Sequence, residues 1–284
     1  MESVIGYVVL IACVLGGYVM AHGEIMALWQ PAELVIIGGA SLGSFIATNP
    51  LKLTIYVMKS GPGLMFSHKF SKEYCLAILM LLFELFTIWR KQGIMGIEGD
   101  IESPKDSELF KRFPKILNDH HLVEFIGDYL RILVSGNMQS HELDALMDLE
   151  IHMIEEEAEA PSKAIANIAD GLPGFGIVAA VMGIVITMKS LGGPPEELGA
   201  HVAASLVGTF LGVLLAYGFV SPFASLIGHK AKEEMTAYKC VKSAIIAMVN
   251  TMSPQIAIEF GRKSLPHDFR PTFAQLEAKL RGGG

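Results

Sequence analysis

Apolar and charged positions are unevenly spread along the chain. Ser3 to Gly23 is a run of 21 residues without Asp, Glu, Lys or Arg, Leu34 to Leu51 and Gly171 to Met188 are runs of 18, and Leu198 to Gly228 is a run of 31. A helix needs roughly 20 mostly apolar residues to cross the hydrocarbon of a bilayer. The runs predict four transmembrane helices. The first does not read as a cleaved signal peptide, because it opens on Glu2 rather than a basic region and no A-x-A site closes it.

Between the second and third runs the pattern becomes that of amphipathic helices. In Glu73 to Arg90, the residues Leu76, Leu79, Met80, Phe83 and Phe86 recur three and four apart. Ser107 to Phe113 and Leu122 to Val134 repeat this spacing, and Ser140 to Glu159 reads as a further helix that Ser140 could cap, with Leu143 where a full capping box needs Glu or Gln. Breaks are predicted at Gly61-Pro62-Gly63, Ser103-Pro104, Pro114 and Pro161. The tail from His229 is helical up to Pro254 and Pro266, and no segment alternates as a strand would. The expected fold class is an all-α membrane protein: four transmembrane helices with a helical cytoplasmic domain, the third and fourth helices extending into the cytoplasm. The expected organisation is a first transmembrane hairpin at 1–53, a cytoplasmic helical domain at 54–168, a second transmembrane hairpin at 169–228 that lines a partner, a cytoplasmic helical tail at 229–281, and a linker or scar at 282–284.

Charge sets the orientation. Lys52 to Lys163 carries 12 basic residues and Lys230 to Arg281 carries 9, while the loop from Glu24 to Glu33 carries none. The positive-inside rule places both large polar segments, and with them both termini, in the cytoplasm. Composition agrees with a membrane protein: 51% of residues are hydrophobic and 18% charged, against about a quarter charged in soluble domains. The net charge of −7 gives no basic footprint for nucleic acid. Cys13, Cys75 and Cys240 are isolated and read as small buried hydrophobes rather than a metal or disulfide framework. His120 and His121 point to different helix faces and chelate poorly, and Glu155 to Glu157 reads as a solvated run. No GxxxxGK[ST], HExxH or GxSxG motif suggests an enzyme.

The third and fourth runs carry the remaining chemistry. Pro173, Gly176, Ala180, Gly183 and Thr187 form one narrow face, and Ser205, Gly208, Thr209, Gly212 and Ala216 form another. Small residues let helices approach closely in lipid, so the faces fit a tight internal hairpin or a surface for a foreign helix, and the pattern leaves both open. Pro173 stands at the start of the third span and Pro222 inside the fourth run, where a kink could act as a hinge. No Asp or Glu lies inside the four runs, and His22 and His201 sit near span ends. If ions pass, the titrating group is expected from a partner. Thr187 and Thr209 offer hydroxyls, each of which could bond back to its own helix.

Several segments resemble one known family. Pro31-Ala32-Glu33-Leu34-Val35-Ile36-Ile37, Leu172 to Gly183, Val207-Gly208-Thr209-Phe210-Leu211-Gly212, Ala216 to Pro222 and Ala257 to Lys263 are similar, in that order, to motifs of the MotA family, the larger stator subunits of bacterial flagellar motors within the MotA/TolQ/ExbB proton channels. The likeness extends from Gly6 to about Leu280. It implies a homopentamer of this chain around two copies of MotB, which supplies a membrane aspartate and a peptidoglycan-binding domain, in the bacterial inner membrane. It implies that ion flow turns the ring and pushes on the rotor protein FliG, with no cofactor beyond the transported proton. Pro173 and Pro222 match the family's coupling prolines, Arg90 and Glu98 its rotor-contacting charges, and Thr209 the threonine facing the partner's aspartate. Gly99 departs from relatives that carry a charge there. Sodium-driven relatives place a threonine where Ala180 stands, so Ala180 implies protons. The alternative is a TolQ/ExbB-type energy transducer, which usually has three spans; a substrate transporter would show its own polar site or paired repeats.

Overall fold

A computed structural model describes residues 2–66, 70–136, 138–189, 192 and 194–282. Every regular element among them is helical: α1 (Glu2–Met20), α2 (Pro31–Thr48), α3 (Leu51–Phe66), α4 (Lys72–Gln92), α5 (Glu98–Glu102), α6 (Glu108–Lys111), α7 (Pro114–Leu117), α8 (His120–Ser135), α9 (Ser140–Met188), α10 (Pro195–Val213), α11 (Ser221–Val249), α12 (Pro254–Ser264) and α13 (Phe273–Gly282). Four stretches are long and apolar enough to span a membrane: Ser3–Met20, Ile25–Thr48, Ser140–Met188 and Leu198–Val249. The last two, of 49 and 52 residues, are more than twice the roughly 20 that a bilayer requires.

The chain divides into two compact units, Met1–Phe66 with Glu159–His229, and Ser67–Ala158 with Lys230–Gly284. In the first, none of the residues from Ser3 to Met20 is buried within the chain. Val4, Ile5, Val8 and Val9 on α1, and Ile177, Val181, Val185 and Ile186 on α9, are exposed. A water-soluble surface does not carry a patch of that extent; lipid or other helices cover it.

The second unit has an ordinary apolar core. The Ser71 side chain caps α4 by accepting the Tyr74 N–H at 3.2 Å, and Ile78, Leu79, Leu82, Leu85 and Phe86 are fully buried; of the residues the three-and-four spacing picks out, Leu79 and Phe86 are in this core, while Leu76, Met80 and Phe83 are half-buried at its edge. On α8 the buried face is Leu122, Phe125, Ile126, Tyr129 and Leu130. The Tyr129 hydroxyl donates to Glu150 of α9 at 2.6 Å. Tyr74 donates to the buried carboxylate of Asp119; burial first, and that bond second, hold its phenol far above the usual range. Burial likewise pushes the Cys75 thiol up to about 12, so it behaves as an inert apolar group.

Four expectations need correction. The helix continues through Gly61-Pro62-Gly63 in α3 and through Pro161 in α9. A proline removes one backbone bond, and the flanking turns carry each helix across; at Pro161 the next residue, Ser162, also donates to the Ala224 carbonyl of α11 at 2.8 Å. Ser140 is the first residue of α9 rather than its cap: the Gln139 N–H donates to the Glu142 carboxylate at 2.9 Å, the reach-back half of a capping box one residue earlier. Cys75 and Cys240 are buried, but Cys13 is exposed on α1. Of the closing glycines, Gly282 ends α13, and 283 and 284 lie outside the described residues.

Arg262, buried on α12, donates to Glu259 at 2.7 Å and to the Pro271 carbonyl at 2.9 Å. The guanidinium holds the Glu259 carboxyl below its ordinary value of 4.5. A depressed carboxylate stabilises the fold above its unfolded pKa, and this contribution is lost as pH falls through the folded value. Glu259→Gln should therefore lower the Tm of the detergent-purified protein by a few degrees at neutral pH, and the gap to wild type should close below about pH 4.

Candidate ion path and coupling site

The third and fourth spans meet at backbone distance. A Cβ added at Gly176 would stand 2.8 Å from the Gly208 carbonyl oxygen, and one at Gly212 would stand 2.8 Å from both the Gly176 Cα and the Leu172 carbonyl. At Gly183 it would stand 2.9 Å from the Ser205 Cβ. Only glycine fits these three crossings, so the small-residue faces pack on each other within one chain. Close backbone contact of this kind holds helices together where lipid removes the hydrophobic driving force. Ile37 of α2 and Leu172, Ala179 and Ala216 close the apolar centre of this unit.

The seam brings some predicted residues together and separates others. Ala179 approaches Gly208, so Ala180 and Thr209 each lie one residue from this contact. Ala180 is buried and Thr209 half-buried. Thr187 bonds back to the Gly183 carbonyl at 2.9 Å and Ser205 to that of His201 at 2.9 Å. Thr209 makes no such bond among the described residues, which leaves its hydroxyl free. Pro173 lies inside α9, not at a helix start, and is half-buried beside the Leu172 carbonyl that Gly212 approaches.

Pro222 stands apart from this level and is exposed. Its effect is local and visible. Leu214–Val220 is π-helical, and the Ser221 N–H reaches back five residues to Ala216. Pro222 has no N–H for the Gly218 carbonyl, so the normal four-residue ladder cannot pass it. Widening by one residue is how helices absorb such a gap, and π turns concentrate at functional sites. The expected kink is therefore a π segment. Tyr7 of α1 stacks on Phe219 at 5.5 Å and donates to its carbonyl at 3.1 Å, a support that nothing in the apolar pattern of α1 announces.

Glu33 corrects the expectation that the spans hold no carboxylate. The apolar run begins at Leu34, but α2 begins at Pro31, and Glu33 lies in its first turn. Its side chain folds against Gly208, where a Cβ would collide with Oε2. Glu33 is 7% exposed, and Oε2 is buried without a hydrogen-bond partner. The sequence signal was a lone acid two residues after a proline at a span entrance.

Arg90 and Glu98 belong to the other unit. Arg90 is in the last turn of α4, where a cation complements the helix dipole. Gly93 then turns the chain at φ 78°, ψ 171°, a conformation that excludes side chains. A 3-10 turn at Ile94–Ile97 leads into α5, which opens on Glu98. Both charges are exposed. Nearby charges neutralise each other, Arg112 with Glu84 and Arg131 with Glu102, whereas Arg90 and Glu98 pair with no described residue.

These features define a multi-pass membrane protein with a carboxyl buried at a glycine-built helix crossing and a half-buried hydroxyl one residue along. Motility protein A N-terminal matches residues 4–93, and the MotA/TolQ/ExbB proton channel family matches residues 118–240. Motility protein A of Salmonella typhimurium is 48% identical over 281 residues, covering 99% of this chain and 95% of its own; that of Escherichia coli is 46% identical with the same coverage. The chain belongs to the motility protein A family of flagellar motor stator subunits. Its fold is shared by the solved structure of C. jejuni MotAB, with a TM-score of 0.76 at 16% identity over 94% of this chain and 96% of that one. The flagellar MotAB stator complex from Bacillus subtilis gives 0.75 at 21% identity over 96% and 100%.

The crossings make a direct prediction. Gly212→Ala drives a methyl into backbone on two sides and should lower the thermal stability of the purified protein. Gly38→Ala meets nothing within 4 Å and should leave stability unchanged or slightly raised, since alanine favours helix by about 0.5–1 kcal/mol.

Proposed function

We propose that this stator subunit conducts protons together with a MotB-type partner and transmits the resulting movement as torque to FliG. Five copies would surround two partner helices, with both termini of this chain in the cytoplasm. The observation that carries this reading is the Thr209 hydroxyl, free of its own helix and one residue from the Gly208 contact, together with the exposed apolar residues Ile177, Val181 and Val185 that α9 leaves uncovered. A partner helix laid on that face would bring its aspartate to the level of Thr209 and Ala180. The two solved MotAB structures support a partner of this type for relatives with the same fold. Ala180 offers no oxygen, and sodium must exchange its waters for oxygen ligands, which favours protons.

Coupling would run through the prolines. Pro173 loosens α9 beside the seam, and Pro222 creates the π segment of the fourth span. Each lies within a helix that continues well beyond membrane length, so a change at the seam has a stiff element to act through. Arg90 and Glu98, exposed and unpaired on their turn, are suited to meet charges of opposite sign on the rotor. Charge–charge contact of this kind steers and registers partners more than it tightens them.

The test is proton entry. Co-expression with a partner lacking its inhibitory plug should acidify the cytoplasm whether or not external sodium is present. Changing the partner's aspartate to asparagine should abolish the acidification. A flux that requires sodium would overturn the ion assignment, and no flux from an assembled complex would overturn conduction. Arg90→Glu and Glu98→Lys should each slow swimming while leaving this flux unchanged; an equal loss of flux would move both residues out of the rotor contact.

A further inference from the structure

Glu33 carries chemistry that the partner-borne aspartate does not account for. Its Oε2 is buried with no donor, and a buried carboxylate oxygen in that position is satisfied by a proton or by a water. The carboxyl rests on Gly208, one residue before Thr209, while Ala179, one residue before Ala180, packs against the same glycine. The site is built to hold it: any side chain at 208 would occupy the place of the carboxyl oxygen. From α10 and α9 it is faced by Gly208 and Ala179, neither of which titrates. The titratable groups next along the chain on these elements, His201 on α10 and, before α2, His22 and Glu24, are all exposed. Intramembrane carboxyls with no structural partner mark proton routes.

We propose that Glu33 is a proton-accepting residue of the ion path on this chain, a station beside Thr209 in addition to the partner's aspartate. The carboxylate takes one proton from hydronium arriving past the Glu24–Glu33 connection, leaving water. The carboxylic acid then returns that proton to the next water of the path and becomes carboxylate again. No other bond changes. This rests on the proton-channel reading above.

The experiment compares wild type, Glu33→Gln and Glu33→Asp in the complex with the plug-deleted partner, recording cytoplasmic acidification across external pH 5 to 8 and partner co-purification. Glu33→Gln should assemble normally, lower the flux several-fold at neutral external pH and flatten its dependence on external pH, because its amide neither accepts nor releases a proton. Glu33→Asp should restore part of the flux and the slope. Wild-type flux and pH profile in Glu33→Gln would overturn the proposal, as would loss of the partner in both variants, which would make Glu33 a packing residue. No flux in wild type itself would instead bring down the proton-channel reading, and this proposal with it.

Discussion

The backbone contact of α9 with α10 at Gly176, Gly208 and Gly212 is the constraint on which the membrane unit depends. In water, apolar side chains drive helices together. In a bilayer that drive is absent, and what remains is close packing and polar contact. Glycines at the crossings serve both needs. They let the helix backbones touch, and they leave a recess at Gly208 that the Glu33 carboxyl fills. The approach of Ala179 to Gly208 brings Ala180 and Thr209 each within one residue of that contact. A bulkier residue at Gly176 or Gly212 would push the helix backbones apart, and one at Gly208 would displace the Glu33 carboxyl.

A second constraint is the lost hydrogen bond at Pro222. A helix proposed to carry movement cannot simply be broken, because a broken element transmits nothing. Nor can it be uniformly stiff, because a stiff rod has no place to bend. The π segment at Leu214–Val220 meets both demands, keeping the backbone bonded through the reach of Ser221 to Ala216. Tyr7 steadies the wide turn through the Phe219 carbonyl. Pro161 and Pro173 interrupt α9 less visibly. Both long helices therefore carry their weak points inside continuous helix.

The sequence made the elements legible because the signals are strong ones. Uncharged runs found the spans, and three-and-four spacing found α4 and α8 as helices, though on α4 the fully buried face is centred on Ile78, Leu82 and Leu85 beside the residues the spacing named. The small-residue faces on the third and fourth spans were readable too, but whether they meet each other or a foreign helix was not, since spacing alone does not name the other surface. What escaped were effects that depend on tertiary neighbours. Pro161 and Pro62 looked like breaks because local rules treat a missing N–H as terminal, whereas both helices continue through them, and beside Pro161 the Ser162 hydroxyl ties α9 to α11. Tyr7 was one more residue of an apolar run. Glu33 was missed because charge counting ends a span at its last charge, whereas the helix begins a turn earlier.

That miss has a physical lesson. Hydropathy places a boundary where a charged residue would meet lipid, yet Glu33 meets no lipid. It turns inward onto Gly208, and the same recess that hides it from lipid also strips it of donors. A protein gains nothing in stability from a carboxyl held this way, for leucine would pack there without an unpaired oxygen. An unpartnered carboxyl oxygen in such a recess fits the proposed station for a proton or a water, one residue along α10 from Thr209.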